Sequence, residues 1–356
     1  MNKELWKGNE AIAEAAIRAG CNCFFGYPIT PQNEIPEYMS MRMPQVGGVF
    51  VQSESEVSAI NMVYGAAGSG VRAMTSSSSP GISLKQEGIS YMAGAELPAV
   101  IVNVMRGGPG LGSIQPSQSD YYQATRGGGN GDYRTIVLAP CNIQEAVDLT
   151  REAFDLADYY RNPVMLLADG MIGQMMEPIV WRDIPARKIP PKDWAASGRK
   201  GRSTNRFITS LLIDAQVCED HNLHLAEKYA TMEKNEVRWE ENGVEEGRIL
   251  IVAYGTPSRI AMSAIEELER QHYIKAGLLR PITLWPFPQT RIRELSKREN
   301  IKAILVVEMS LGQMVDDVRL AVDGQKPVKF LGRTGGAIPT VAEIVSATKQ
   351  TLREVM

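Results

Sequence analysis

The chain has 356 residues, 44% of them hydrophobic and 22% charged, which is enough for two or three domains with full hydrophobic cores. A formal net charge of -3 with mixed signs excludes the basic surface of a nucleic-acid-binding protein, and without an apolar run of about eighteen residues we expect a cytoplasmic protein rather than a membrane protein. Four scattered cysteines, Cys21, Cys23, Cys141 and Cys218, exclude a disulfide scaffold and a four-thiolate cluster.

Helix and strand patterns alternate through the first 170 residues. Asn9 is predicted to cap a helix that ends at Gly20 and leads into a strand over 21–27. Thr30 and Pro31 have the pattern of an N-cap and first residue of the next helix. Further strands are predicted near 50–53, 71–78, 98–105, 135–139 and 163–168, with helices between them. The helix before the last of these strands is predicted to begin at Asn142, with Glu145 three residues on in a capping-box arrangement. This alternation predicts an α/β fold with a doubly wound parallel sheet.

From about residue 180 the pattern changes to a connector that is rich in basic residues, prolines and glycines. A solvated linker is favoured over an acidic-partner site for its cations, Arg187, Lys188, Lys192, Arg199, Lys200, Arg202 and Arg206. A charged helix is predicted at about 214–236, and a second α/β unit begins at about 247, with Thr256 and Thr340 as helix caps. The predicted division is therefore a first domain over 1–180, a linker over 181–246 and a second domain over 247–356.

Thr30 and Glu54 each follow a predicted strand within one short span of sequence. If these strands are parallel neighbours, both residues face a crevice at the carboxyl ends of the strands, where open α/β sheets bind ligands. A Glu54 carboxyl held there in an apolar interface would have a raised pKa and could share a proton with a ring nitrogen. Alternatively, Glu54 lies in the first turn of the helix as a partner of its dipole, although Glu56 suits that role better. Thr30 is either an ordinary cap or part of an anion-binding helix start.

Arg106 follows a third buried strand and begins a glycine-rich loop over 105–120. Its planar guanidinium can clamp a carboxylate in a bidentate way, although the glycine spacing matches neither a Walker A loop nor a dinucleotide fingerprint. Asp169 lacks a downstream asparagine at metal-diphosphate spacing, so we interpret it as a turn residue. His221 and His224 lie three apart without a third ligand and are interpreted as surface histidines. No metal site is therefore predicted.

Several ordered motifs together resemble the α-type subunit of the 2-oxoacid:ferredoxin oxidoreductases. They are GYPITP, VQSESE, SSSSPGISLKQEGISYMAGAELPAV and VMRGGPG in the first domain, and YGTPSRIA, LLRPITLWPFP and VVEMSLGQM in the second. Within the family, the loop GPGLGSIQPSQSDYYQATRGGGNGDY is most similar to the branched-chain type, which acts on 2-oxoisovalerate, also called 3-methyl-2-oxobutanoate. The 2-oxoglutarate type remains open as an alternative.

The resemblance implies a fold, a cofactor and site residues. The first domain would be the pyrimidine-binding half of a thiamine diphosphate site, and the second would resemble the transketolase C-terminal domain. Glu54 matches the acid that hydrogen-bonds the aminopyrimidine ring, with Pro28 and Ile29 also in the cofactor site. Thr30 and Arg106 match residues that hold the substrate carboxylate. The implied reaction is the oxidative decarboxylation of a 2-oxoacid with coenzyme A to acyl-CoA, carbon dioxide and reduced ferredoxin.

The resemblance also implies partners, because this sequence lacks the family's Gly-Asp-Gly…Asn magnesium-diphosphate motif and a cysteine set for an iron–sulfur cluster. A beta-type subunit would carry Mg²⁺ and the diphosphate half-site, and iron–sulfur clusters would lie on partner subunits, with gamma and ferredoxin-like delta subunits expected. Two rival interpretations are a non-oxidative thiamine-dependent decarboxylase or synthase half and a non-catalytic assembly or ligand-binding subunit.

Overall fold

The structure is a computed structural model that describes residues 3–199 and 201–355. Lys200 of the basic connector lies outside the described residues. The first half of the chain contains β1 (Glu4–Lys7), α1 (Gly8–Arg18), β2 (Cys23–Gly26), α2 (Glu34–Gln45), β3 (Val49–Gln52), α3 (Glu56–Gly68), β4 (Ala73–Ser77), α4 (Ser79–Gly94), β5 (Ala99–Met105), α5 (Tyr121–Arg126), β6 (Ile136–Leu138), α6 (Ile143–Tyr160), β7 (Pro163–Asp169), α7 (Gly170–Gln174) and β8 (Met176–Ile179). The second half contains α8 (Ala215–Glu236), β9 (Trp239–Asn242), β10 (Ile249–Val252), α9 (Gly255–His272), β11 (Ala276–Pro281), β12 (Thr283–Trp285), α10 (Gln289–Ser296), β13 (Ala303–Glu308), α11 (Met314–Val322), β14 (Val328–Gly332) and α12 (Val341–Val355).

The larger sheet has the strand order β12-β6-β7-β5-β4-β2-β3. Its neighbouring strands are parallel, except that β12 is antiparallel to β6. Strands β4, β5 and β7 are buried along their whole length, as expected where helices cover both faces of a sheet. The predicted doubly wound parallel sheet is therefore confirmed.

A second sheet has the order β14-β13-β10-β11-β9 and is parallel apart from β9. Strand β12 follows β11 along the chain but pairs with β6 in the larger sheet. One buried apolar cluster contains side chains of both sheets, among them Val102 and Leu166 of the first and Val252 and Val306 of the second. The two sheets thus share a core.

Three predicted helix caps are wrong, and at Asn9 and Thr256 the reason is that the side chain binds a distant segment instead of its own helix. Helix α1 begins at Gly8, and Asn9 instead donates from Nδ2 to Pro31 O and to Glu34 Oε2, both at 2.7 Å. Helix α2 begins four residues after Thr30. Helix α9 begins at Gly255, so Thr256 lies inside its first turn.

Two other predicted caps are confirmed. Asn142 Oδ1 accepts from the backbone N–H of Glu145 at 2.8 Å at the start of α6. Thr340 Oγ1 accepts from the backbone N–H of Glu343 at 3.2 Å, and the Glu343 carboxylate accepts from Thr340 N at 2.8 Å. In both cases the partner lies three residues away, so no distant segment is needed to form the cap.

The connector between β8 and α8 is anchored to the rest of the protein. Arg187 donates to both carboxylate oxygens of Glu236, at 2.7 and 3.0 Å, and Lys192 lies 2.5 Å from an Asp158 oxygen. The prediction of a solvated linker is therefore wrong at these two cations. Within residues 3–199 and 201–355, no helix combines the length and apolar character needed to cross a membrane.

Candidate functional site

The carboxyl ends of β2 and β3 lie side by side. The two strands are parallel, with Gly26 opposite Gln52, as the crevice hypothesis requires. Thr30 follows the end of β2 and Glu54 the end of β3, while Arg106 follows β5 on the same edge of the sheet. Three strand spacings separate β3 from β5, about 14 Å. The sheet therefore brings the three predicted residues to one edge, with Glu54 at its outer end.

Glu54 is exposed, and it precedes the first turn of α3, in which Glu56 is the acidic residue. Hydrogen bonds from Ser58 and Ser55 lower the pKa of the Glu54 carboxyl, and Ser55 Oγ lies 3.0 Å from Glu54 Oε1. The predicted raised pKa is thus wrong for this chain alone, because β3 is an edge strand and leaves Glu54 uncovered. Glu54 therefore lies outside the first turn of α3, whereas Glu56 has the first-turn position that the dipole interpretation requires.

The segment that contains Pro28, Ile29 and Thr30 is a loop between β2 and α2. Pro28 is exposed, whereas Ile29 and Thr30 are half-buried. Gln32, which the sequence did not single out, is fully buried and fixes this loop. Its amide donates to Tyr27 O at 3.3 Å and accepts from Ser76 Oγ at 2.5 Å. The loop is therefore held against the end of β4.

Arg106 is a buried cation whose hydrogen-bond partners are both neutral. Only 8% of the residue is exposed. Nη1 donates to Thr30 O and Nη2 donates to Leu111 O, each at 3.0 Å. Arg106 Nε is buried without a hydrogen-bond partner, and no carboxylate of the described residues lies within ion-pair distance. This guanidinium is joined to Thr30 and retains donor capacity for an anion.

The backbone of Arg106 is held by polar residues that sequence reasoning missed. Ser79 Oγ lies 3.1 Å from Arg106 N and 3.2 Å from Arg106 O. It also lies 2.6 Å from Asp120 Oδ2, which accepts from Asn103 Nδ2 at 2.9 Å. Burial raises the pKa of Asp120, while the bonds from Ser79 and Asn103 oppose that shift. The one available signal was that Ser79 and Arg106 both follow predicted strands.

A second buried polar group lies beneath the start of α3. Lys85 is fully buried, and its Nζ donates to Thr75 Oγ1 at 3.1 Å and to Glu56 O at 3.5 Å. Burial lowers the pKa of Lys85 to about 8, and the Glu56 carboxylate partly offsets this effect. No motif predicted a lysine inside the core.

A groove of about 320 Å³ opens beside Thr30. Ile114, Pro116 and Met171 provide apolar walls, and Glu34 is its one charged lining residue. A larger cleft of about 920 Å³ lies near Trp285 and contains none of the predicted site residues. Across the described part of the chain, no three His, Cys, Asp or Glu side chains are grouped to hold a metal ion.

Asp169 does more than form a turn. Its carboxylate is buried and caps α7 by accepting from the backbone N–H groups of Met171 and Ile172 at 3.1 and 3.2 Å. It also accepts from Thr256 N at 2.9 Å and from Thr256 Oγ1 at 2.8 Å. Asp169 thus joins the end of β7 to the start of α9.

Two family models match consecutive parts of the chain. The model for pyruvate flavodoxin/ferredoxin oxidoreductase, thiamine diphosphate-binding, matches residues 14–242. The model for pyruvate:ferredoxin oxidoreductase core domain II matches residues 248–344. Together they cover every strand of the larger sheet and of the second sheet.

Curated relatives match the chain over nearly its full length. The ketoisovalerate oxidoreductase subunit VorB of Methanothermobacter marburgensis is 52% identical over 98% of each chain. The 2-oxoglutarate synthase subunit KorA of Methanothermobacter thermautotrophicus is 39% identical over 96% of each. The first of these similarities is the stronger.

Solved structures share the architecture. The 2-oxoglutarate:ferredoxin oxidoreductase from Magnetococcus marinus, with 2-oxoglutarate, coenzyme A and succinyl-CoA bound, matches with a TM-score of 0.84 at 26% identity. The match covers 98% of this chain and 65% of that one, so this chain spans about two thirds of that relative. A split-gene transketolase matches with a TM-score of 0.61 at 14% identity over 98% of this chain and 99% of that chain, which shows a shared fold.

Proposed function

The chain belongs to the 2-oxoacid:ferredoxin oxidoreductase family as one subunit of a multi-subunit enzyme, and we propose that it forms the pyrimidine-side and substrate-carboxylate half of the active site. The proposed reaction is the coenzyme A-dependent oxidative decarboxylation of 2-oxoisovalerate to an acyl-CoA and carbon dioxide, with ferredoxin as electron acceptor and the cytoplasm as its location. The name of the VorB relative supports this choice of substrate.

The observation that carries the proposal is the environment of Arg106. A guanidinium removed from water is costly unless an anion or suitable acceptors compensate it. Arg106 contacts two carbonyls, and its Nε has no partner among the described residues. A 2-oxoacid carboxylate would supply the missing negative charge, with Thr30 beside it.

Glu54 is the proposed contact to thiamine diphosphate, with Pro28 and Ile29 on the adjoining loop. The residues present fit this role, because the Glu54 carboxylate is exposed at the sheet edge and can reach a ring nitrogen on a partner-bound cofactor. When bound, the cofactor supplies an electron sink for decarboxylation. Glu54 would hold a proton at the pyrimidine ring nitrogen, and burial of Glu54 by a partner subunit would raise its pKa toward that task.

The groove beside Thr30 favours a substrate with an uncharged side chain. Its described lining contains the acid Glu34 and no lysine, arginine or histidine. A second carboxylate, as in 2-oxoglutarate, would find no cation there, whereas Ile114 and Met171 suit a branched alkyl group. The KorA relative supports 2-oxoglutarate as the second candidate, and a panel of 2-oxoacids assayed with the purified complex decides between the two.

We also propose the identities of the partner subunits. A beta-type subunit would hold Mg²⁺ and the diphosphate end of the cofactor, and gamma and ferredoxin-like delta subunits would carry the remaining functions and the iron–sulfur clusters. The exposed position of Glu54, just after the end of an edge strand, supports an active centre between subunits.

The test is Glu54→Gln in the complex reconstituted with its partner subunits. Glutamine keeps the size of the side chain but cannot exchange a proton in the same way, so the exchange rate of the thiazolium proton should fall at least a hundredfold, an order-of-magnitude expectation for a lost acid–base group. Exchange is followed by nuclear magnetic resonance in deuterated buffer, and cofactor binding is measured by calorimetry.

Glu37→Gln is the matched control, because Glu37 is an exposed acid on α2 away from the strand ends. The thiazolium proton should exchange at the wild-type rate in the Glu37→Gln complex. Wild-type exchange in the Glu54 variant with cofactor bound would refute the assigned role of Glu54.

A further inference from the structure

We propose that Asp120 is a positioning residue that acts on Arg106 through Ser79. This inference rests on the proposed function, because it concerns how the proposed substrate-carboxylate contact is oriented. The juxtaposition involves four segments, since Asp120 lies just before α5, Ser79 begins α4, Asn103 lies in β5 and Arg106 follows β5.

The direction of the hydrogen bonds follows from the chemistry of the hydroxyl group. Ser79 has one hydroxyl hydrogen and two acceptor lone pairs. Asp120 Oδ2 is the nearer and charged acceptor at 2.6 Å, whereas Arg106 O lies at 3.2 Å. Ser79 therefore donates to Asp120 and accepts from the backbone N–H of Arg106 at 3.1 Å. We call this chain of hydrogen bonds, from Asp120 through Ser79 to the Arg106 backbone, the relay. The Asp120 carboxylate sets its direction.

The carboxylate of Asp120 is committed to this relay rather than to its own helix. Asp120 occupies the N-cap position of α5, but its side chain accepts no backbone N–H of that helix. Its Oδ2 atom instead accepts from Ser79 Oγ and from Asn103 Nδ2 at 2.9 Å. Ser79 and Asn103 are themselves 8% and 0% exposed, so solvent cannot easily replace a lost bond.

The relay is continuous with the proposed substrate contact. Its last member, the Arg106 backbone, leads directly to a guanidinium that is fixed at one end by Thr30 O. Without the Asp120 carboxylate, the Ser79 hydroxyl can turn and donate to Arg106 O instead. In that orientation it no longer accepts from Arg106 N. The start of the loop after β5 would then lose one of its anchors and could shift, although the bond from Gly107 N to Gln115 O would remain. A displacement of about 1 Å can cost a large factor in rate.

The experiment uses the complex reconstituted with its partner subunits and 2-oxoisovalerate as substrate. Asp120→Ala and Ser79→Ala should each raise the KM for the oxoacid about tenfold, as expected for a lost charge-assisted hydrogen bond. The KM for coenzyme A and the Kd for thiamine diphosphate should stay at wild-type values. Because both residues act on one relay, the double variant should also be about tenfold impaired rather than about a hundredfold.

Two further variants separate this role from a general structural one. Asp120→Asn retains an oxygen that can accept from both Ser79 and Asn103, so it should restore the KM to within about threefold of wild type. Asp132→Ala is the matched acid-to-alanine control in an exposed loop, and it should leave the KM unchanged.

Three results would overturn the proposal: additive effects of the two alanine substitutions, an unchanged KM in both, or an asparagine variant as impaired as the alanine variant. Arg106→Met separates failure of this inference from failure of the proposed function. If Arg106→Met raises the KM but Asp120→Ala does not, the relay alone is refuted. If Arg106→Met leaves the KM unchanged, the proposed substrate contact fails and the relay fails with it.

Discussion

At the scale of single residues, Lys85 shows how a buried charge makes stability depend on pH. Its ammonium group is held by Thr75 Oγ1 at 3.1 Å and by Glu56 O at 3.5 Å, and burial lowers its pKa from an ordinary 10.5 to about 8. Between these two values the unfolded chain binds a proton that the native protein does not. Stability attributable to Lys85 therefore rises as the pH increases from about 8 to about 10.5.

Lys85→Met should stabilise the protein by about 1 kcal/mol at pH 7, because removing the cost of a buried charge, about 3 kcal/mol, outweighs the loss of the two hydrogen bonds to Thr75 and Glu56. This gain should shrink as the pH rises through the pKa of Lys85. Urea unfolding at neutral and alkaline pH measures both effects. Lys297→Met, at an exposed lysine, is the control and should show neither effect. A methionine variant that is less stable than wild type at pH 7 would contradict this account.

Residue positions could be predicted where the signal was local. The placement of Thr30, Glu54 and Arg106 at one sheet edge was predictable because each follows a strand, and the parallel sheet brings the ends of those strands to one edge. Asp120 and Gln32 were missed because their partners lie far along the chain. Asp120 binds Ser79 across 41 positions, and Gln32 binds Ser76 across 44. The periodicity of hydrophobic and polar residues along the sequence does not indicate pairings between such distant positions.

At the scale of helices and strands, the core strands were predictable because their apolar runs are long and fully buried, as in β5 and β7. Helix starts were predictable only when the cap binds its own helix. Asn142 satisfies that condition, whereas Asn9 binds Pro31 and Glu34 instead. The side-chain type alone cannot tell these two cases apart.

The Asn142 cap therefore gives a prediction at this scale. Asn142→Ala should lower the free energy of unfolding by about 1 kcal/mol, because the backbone N–H of Glu145 loses its 2.8 Å acceptor. Asn142→Ser keeps a capping oxygen, so its free energy of unfolding should lie within a few tenths of a kcal/mol of the wild-type value. Urea unfolding midpoints measure the difference. Equal stability of the alanine and serine variants would show that the cap contributes nothing.

At the scale of the whole molecule, three features join the two sheets. Strand β12 belongs by pairing to the larger sheet although it follows β11 of the second, and one apolar cluster spans both. Gln118 Nε2 donates to Tyr254 O at 2.9 Å, and its Oε1 accepts from Met309 N at 3.0 Å. These contacts connect the loop that follows Arg106 to the ends of β10 and β13. We therefore expect the two sheets to unfold together.

Thr256→Val tests this expectation at the buried junction with Asp169. In the wild-type protein, Thr256 Oγ1 donates to Asp169 Oδ1 at 2.8 Å. Valine has nearly the shape of threonine but cannot make this hydrogen bond. Losing a buried hydrogen bond to a carboxylate should cost about 2 kcal/mol, and Thr256→Ser should recover most of it. Because the sheets share a core, the valine variant should show one urea transition at a lower midpoint, coincident by far-ultraviolet circular dichroism and tryptophan fluorescence. Two separate transitions would instead mean that the second sheet unfolds on its own and that the shared core does not couple it to the first.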